Sequence, residues 1–181
     1  MSYRFMSEPA LRKTLRGRAA IHAFFSILVS SAARGFPRVA CVCRGSAVMA
    51  VALYTTPGKP SVAQIACLAR ILPLLSPRFL LSAAAWVARS RAYTRALAAF
   101  NPGCHLIFIA SAVDGKGYGS AALELVEKSC TEEGGLWVTL EVHKENPALL
   151  FYAKRGYRPA AATVYAGSMY VLMSKKLRAK G

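Results

Sequence analysis

A chain of 181 residues, 55% of them hydrophobic, is long enough for one domain with a substantial core and too apolar to be disordered. Its 24 Lys and Arg against 8 Asp and Glu give a net charge of +16, which excludes an acidic surface and favours anionic ligands or partners. The charge is uneven: residues 1–113 hold 14 basic side chains and one acid, Glu8, whereas residues 114–181 hold 10 basic and 7 acidic ones. The five cysteines (Cys41, Cys43, Cys67, Cys104, Cys130) make no CxxC and no metal-ligand spacing, so reduced thiols in a cytoplasmic protein are expected, without a metal site.

In chain order, residues 3–6 read as a short strand, and Ser7, Glu8 and Pro9 open a helix running to about Ala33, before Gly35. Arg12, Lys13, Arg16 and Arg18 ahead of the apolar run 19–29 share the outline of a secretory leader. The basic run starts late and His22 interrupts the apolar stretch, so a first amphipathic helix is the better reading. Residues 38–43 and 48–55 form a hairpin around Gly45 and Ser46, and residues 56–60 form a Pro- and Gly-containing loop. Helices follow at 62–72 and 78–100, closed by Asn101-Pro102-Gly103. Arg70 and Arg78, with Pro73 and Pro77 beside them, interrupt the apolar stretch 65–88, so no membrane span is expected there.

A strand over 105–112 runs into Val113-Asp114-Gly115-Lys116-Gly117-Tyr118-Gly119-Ser120, and a helix over 119–131 carries Ala122, Leu123 and Val126 on one face. A strand, a glycine turn and a helix N-terminus make an anion cradle: glycine lets the backbone approach, and the first helical amides point outward. After Glu133-Gly134-Gly135 comes a strand over 136–143. Asn146 suits a helix cap, Pro147 the first helical position and Gly156 the position after the helix end. Residues 158–165 and 169–175 form a last hairpin around Gly167. The glycine turn also fits G-x-G-x-x-A, with Glu141 where a ribose-binding acid of an NAD site would fall. Only 62 residues follow Gly119, too few for the rest of a doubly wound sheet, so this dinucleotide reading ranks second.

Two segments together resemble the GNAT superfamily of acyl-CoA-dependent N-acyltransferases. Residues 114–120 resemble its pyrophosphate loop, and residues 141–157, with Asn146, Phe151-Tyr152 and Gly156-Tyr157, resemble its second signature. Two departures stand out. Asp114 occupies the position where that family usually carries Gln or Arg, and the loop is about two residues shorter. The resemblance implies an α+β, three-layer fold: a mixed, mostly antiparallel central sheet flanked by helices, with a helical insert at about 61–103, in a single domain over 1–181.

It further implies acetyl transfer from acetyl-CoA to an amine by direct attack in a ternary complex. Amides of Ser111, Ala112 and Val113 would meet the pantetheine, and Gly115, Lys116, Gly117, Tyr118, Gly119 and Ser120 the pyrophosphate. Asn146 would contact the cofactor near the thioester, and Tyr152 would protonate the departing thiolate. The residues themselves leave the base open. Glu141 and His143 share a strand face and are the leading candidates, with His105 a weaker one. The acceptor is a small-molecule or protein amine. Arg70, Arg78, Arg89, Arg91 and Arg95, with Trp86 and Tyr93, favour an apolar or anionic amine over a polyamine. Alternatively the basic surface meets a ribosomal or other nucleic-acid-associated protein. A homodimer and a non-catalytic CoA-binding domain are further alternatives.

Overall fold

The computed structural model describes residues 23, 26–28, 30–32, 36–56, 62–71, 73, 97–165 and 168–178. The expected strand at 3–6, most of the first helix and residues 78–96 of the expected second insert helix lie outside them. Residues 26–28 and 30–32 are helical, as are Leu97 and Ala98.

Six strands form one sheet: β1 (Arg38–Arg44), β2 (Ala47–Thr55), β3 (Gly103–Ser111), β4 (Trp137–His143), β5 (Arg158–Tyr165) and β6 (Ser168–Lys176). Among the described residues, the continuous helices are α1 (Val62–Ile71), α2 (Tyr118–Glu132) and α3 (Ala148–Ala153). The strand order is β1-β2-β3-β4-β6-β5. Among these pairs only β3 and β4 run parallel, because α2 crosses over between them; β1–β2 and β5–β6 are hairpins, and β2–β3 and β4–β6 are antiparallel neighbours joined by longer connections. The doubly wound parallel sheet of a dinucleotide domain is therefore not formed.

The sheet is covered on both faces. Ala122, Leu123, Val126 and Cys130 follow helical spacing and bury one side of α2 against Ala50, Ala52, Leu106, Val138 and Leu140. The Tyr54 hydroxyl donates to Ser129 Oγ at 2.8 Å across this layer. On the opposite face Leu53 packs with Leu28, Cys67 and Ile71, which joins α1 and the N-terminal helix to the sheet. One ion pair anchors the last hairpin to α2. Glu127 Oε2 lies 2.6 Å from Lys175 Nζ, and Glu127 Oε1 accepts the Tyr157 hydroxyl at 3.0 Å. Burial, with the Glu127 charge beside it, pushes the Tyr157 phenol well above its ordinary range, so it remains a donor.

The alternation of β3 breaks once. Leu53 pairs with Phe108 and Tyr54 with Leu106, so Ile107 is an extra residue, a β-bulge. Before it, Cys104 and Leu106 face α2; after it, Ile109 does, and Phe108 turns to the Leu53 face.

Candidate active site

The β3–β4 pairing runs from Gly103↔Trp137 to Leu106↔Leu140 and stops there. Residues 108–111 continue with β2 and residues 141–143 with β6, so the two parallel strands part in mid-sheet. The parting begins at the Ile107 bulge, which bends β3 away.

Hydrogen bonds at the strand ends show which backbone groups face the opening. Ala112 N–H donates to Met49 O at 2.8 Å, and Lys144 N–H to Met169 O at 3.0 Å. Successive residues of a strand present their backbone groups to opposite edges. Ile109 and Ser111 on β3, and Glu141 and His143 on β4, therefore turn theirs toward the gap. The His143 carbonyl is met by Asn146 N–H at 2.9 Å. Of the amides expected to line this opening, that of Ala112 is turned away to β2, and Ile109, which the sequence reading missed, takes its place.

At the mouth of the opening lies the glycine turn. Ser111 Oγ donates to Val113 O at 2.7 Å and closes its first corner. Gly115 (φ 74°) and Gly117 (φ 79°) are left-handed, which L side chains resist. Gly117 precedes α2 and brings no capping side chain. The first intrahelical bond is Ala121 N–H to Gly117 O, 3.0 Å, so the amides of Tyr118, Gly119 and Ser120 have no acceptor within the helix. Asp114, Gly115, Lys116 and Gly117 are exposed. The Tyr118 side chain packs on the α2 core, which leaves its backbone as the part available to a ligand.

From the other side α3 approaches the same turn. Asn146 Oδ1 accepts Ala148 N–H at 2.9 Å, the cap expected from Asn-Pro. Tyr152 is buried on the α2 face of the sheet, with ring centroids 5.1 Å from Phe151 and 5.8 Å from Tyr157. The Phe151 ring lies against Gly119, where an added Cβ would meet it at 3.7 Å.

The opposite face carries the remaining candidates. Val138, Leu140 and Val142 face α2, so Thr139, Glu141 and His143 face away from it. Glu141 is exposed. His143 stacks edge-on against Tyr170 at 5.4 Å, and its Nδ1 accepts Glu145 N–H at 3.3 Å. His105 Nδ1 lies 3.0 Å from Thr139 Oγ1, whose hydroxyl is donated to Cys104 O at 3.3 Å. That hydroxyl's proton is already used, so His105 Nδ1 carries its own. Tyr152 and Glu141 thus lie on opposite faces, and a molecule reaching both must pass through the β3–β4 opening.

Burial holds His105 below its ordinary pKa of 6.5, opposed in part by the Glu141 carboxylate. As pH falls below 6.5 the unfolded chain gains a proton there that the folded chain declines, so stability falls. Melting measured from about pH 7 down to about pH 5 is expected to show this loss, and His105→Asn to flatten it. Parallel curves for the two proteins would place the proton uptake elsewhere.

Among the described residues no helix is long and apolar enough to cross a membrane, and no three His, Cys, Asp or Glu side chains gather to hold a metal. The family described as "Acetyltransferase (GNAT) domain" matches residues 78–177, more than half of the chain. A stretch of 56 residues is 41% identical to the uncharacterized protein YxbD of Bacillus subtilis, covering 30% of this chain and 35% of that protein. Among solved structures, an acetyltransferase superposes with a TM-score of 0.57 at 16% identity, over 97% of this chain and 89% of its own. The Escherichia coli ribosomal-protein-S18-alanine N-acetyltransferase does so with a TM-score of 0.53 at 13% identity, over 95% and 86%.

Proposed function

Because the chain belongs to the GNAT acetyltransferase domain family, we propose that it moves an acetyl group from acetyl-CoA to an amine by direct attack in a ternary complex. The observation that carries this reading is the parting of β3 and β4 after Leu106 and Leu140, with an uncapped helix N-terminus at its mouth. The residues present fit the coenzyme. Backbone groups of Ile109, Ser111 and Glu141 are turned to the gap for the amides of a pantetheine arm. The free amides of residues 118–120, reached over two left-handed glycines, suit a pyrophosphate. When bound, acetyl-CoA supplies the activated thioester carbonyl.

The residues then divide the proton work. Glu141 takes a proton from the attacking amine, directly or through water, from the open face of the sheet. The Tyr152 hydroxyl, on the buried face, gives its proton to sulfur as the carbon–sulfur bond breaks. Asn146, already fixed by its own capping bond, positions the coenzyme end of the site. The acceptor enters from the Glu141 side, where α1 packs on the sheet. Arg70 there is exposed and donates to Ser30 Oγ at 3.4 Å. With the neighbouring arginines of the sequence it favours an apolar or anionic amine, on a small molecule or a protein, over a polyamine. A cytoplasmic location, where acetyl-CoA is available, is part of the proposal.

The first test is thermal protection of the purified protein. A ligand at about 100 times its Kd adds about 2.7 kcal/mol, or roughly 5–11 °C for a chain of this size. Acetyl-CoA is expected to give that shift and NAD none. A shift with NAD alone would overturn the reading. Protection by acetyl-CoA with no thiol release across a broad amine panel would reduce it to coenzyme binding. Strong turnover of spermine would overturn the acceptor class alone.

A further inference from the structure

Arg155 is the unusual side chain of this site. It stands one helical turn beyond Phe151, and its guanidinium carbon sits 3.7 Å from the centre of the Phe151 ring. Nη1 donates to Phe151 O at 2.9 Å, and Nη2 donates to Ser120 Oγ in the first turn of α2. A ring face, a carbonyl and a hydroxyl thus hold one planar cation against the helix end whose amides are free. Among the described residues no carboxylate pairs with it. The rest of its N–H fork is unspent. Half-buried beside a helix N-terminus, a guanidinium adds positive potential where the helix dipole is already positive. That arrangement is unfavourable until an anion arrives.

On the coenzyme reading above, we propose that Arg155 is the cation that binds a coenzyme phosphate at this helix end. It does so from the turn that follows α3, in place of a basic or neutral side chain at the head of the loop, where this chain carries Asp114. Lys116, exposed in the loop, adds diffuse charge, whereas Arg155 is fixed before the ligand binds. Planar guanidinium is matched to phosphate oxygens, and its tether to Ser120 keeps it in register with the amides of residues 118–120. The shared chemistry is a phosphate dianion or diester; the coenzyme offers both a pyrophosphate and a ribose 3′-phosphate.

The test is calorimetric titration of wild type, Arg155→Met and Arg155→Lys with CoA and with 3′-dephospho-CoA, each at low and moderate salt. Arg155→Met keeps the stack on Phe151 and removes the charge. It is expected to raise the Kd for CoA about ten- to a hundredfold and to weaken its salt dependence. An equal loss for both ligands assigns Arg155 to the pyrophosphate; a loss for CoA alone assigns it to the 3′-phosphate. Arg155→Lys, which keeps charge without the fork, recovers part of the affinity. Should Arg155→Met fail to fold, the Lys variant must still bind more weakly than wild type. Unchanged Kd and salt dependence in the folded variants would overturn the assignment while leaving the coenzyme site intact. Wild type that binds neither ligand would overturn the coenzyme reading, and the assignment with it.

Discussion

Tyr152→Phe is expected to lower kcat about 10²- to 10³-fold while leaving the Kd for acetyl-CoA nearly unchanged, because the hydroxyl acts on the leaving thiolate and not on the bound coenzyme. The ring itself is a core group, packed edge-on to Phe151 and Tyr157 and only 7% exposed. Phenylalanine keeps that packing, so the variant separates chemistry from folding. Truncation to alanine would not, since it would also open a cavity costing about 3–5 kcal/mol. Turnover is read by thiol release with whichever amine the acceptor screen returns, and binding by titration. A rate unchanged in the Phe variant would remove the general-acid role. A rate and an affinity lost together would assign the hydroxyl to coenzyme binding.

The largest effect on stability is expected at Gly103, at the far end of the same strand pair. An added Cβ would lie 2.4 Å from Phe100 O and 2.9 Å from Trp137 O. Both are backbone atoms, one in the turn that leads into β3 and one in its parallel partner, so neither swings aside as a side-chain tip does. The conflict is one of space, not of backbone conformation. Gly103→Ala therefore has to shift the start of the β3–β4 pair, at a cost of about 3 kcal/mol, or roughly 6–12 °C in melting temperature. Gly119→Ala is the control: its Cβ would sit in ordinary contact with Phe151, and it is expected to melt near wild type. Equal melting of the two variants would mean that the chain relaxes around residue 103 without penalty.

The residues that make up the candidate site differ in how far the sequence alone exposes them. The glycine turn was legible because left-handed positions demand glycine and because a strand and a helix pattern flank it. Asn146-Pro147 was legible as a helix start, since capping is a local matter of one side chain and the next amides. The hairpins β1–β2 and β5–β6 were bounded within a residue or two by alternation and turn residues. Arg155 was not legible as part of the site. Its partner Ser120 lies 35 residues away, and Phe151-to-Arg155 spacing by itself reads as an ordinary helical neighbour pair. Nor was the His105–Thr139 bond, between strands 34 residues apart, whose register sets which ring nitrogen holds the proton.

What the sequence determines by itself is local: where strands, turns and helices fall, and the charge and type of the side chains on them. It also carries the two spaced segments by which the family is recognised. The tertiary structure decides what those elements do to one another. The bulge at Ile107 exists only against β2, and the opening exists only because β3 and β4 keep different partners beyond Leu106 and Leu140. That ladder turns the amide of Ala112 away from the gap and leaves Ile109 and Ser111 facing it. Fold-wide packing brings Arg155, in the turn after α3, against the first turn of α2. The physical reason is range. Periodicity and capping act over a few residues, whereas register and through-space charge depend on pairs that the chain brings together only when it has folded.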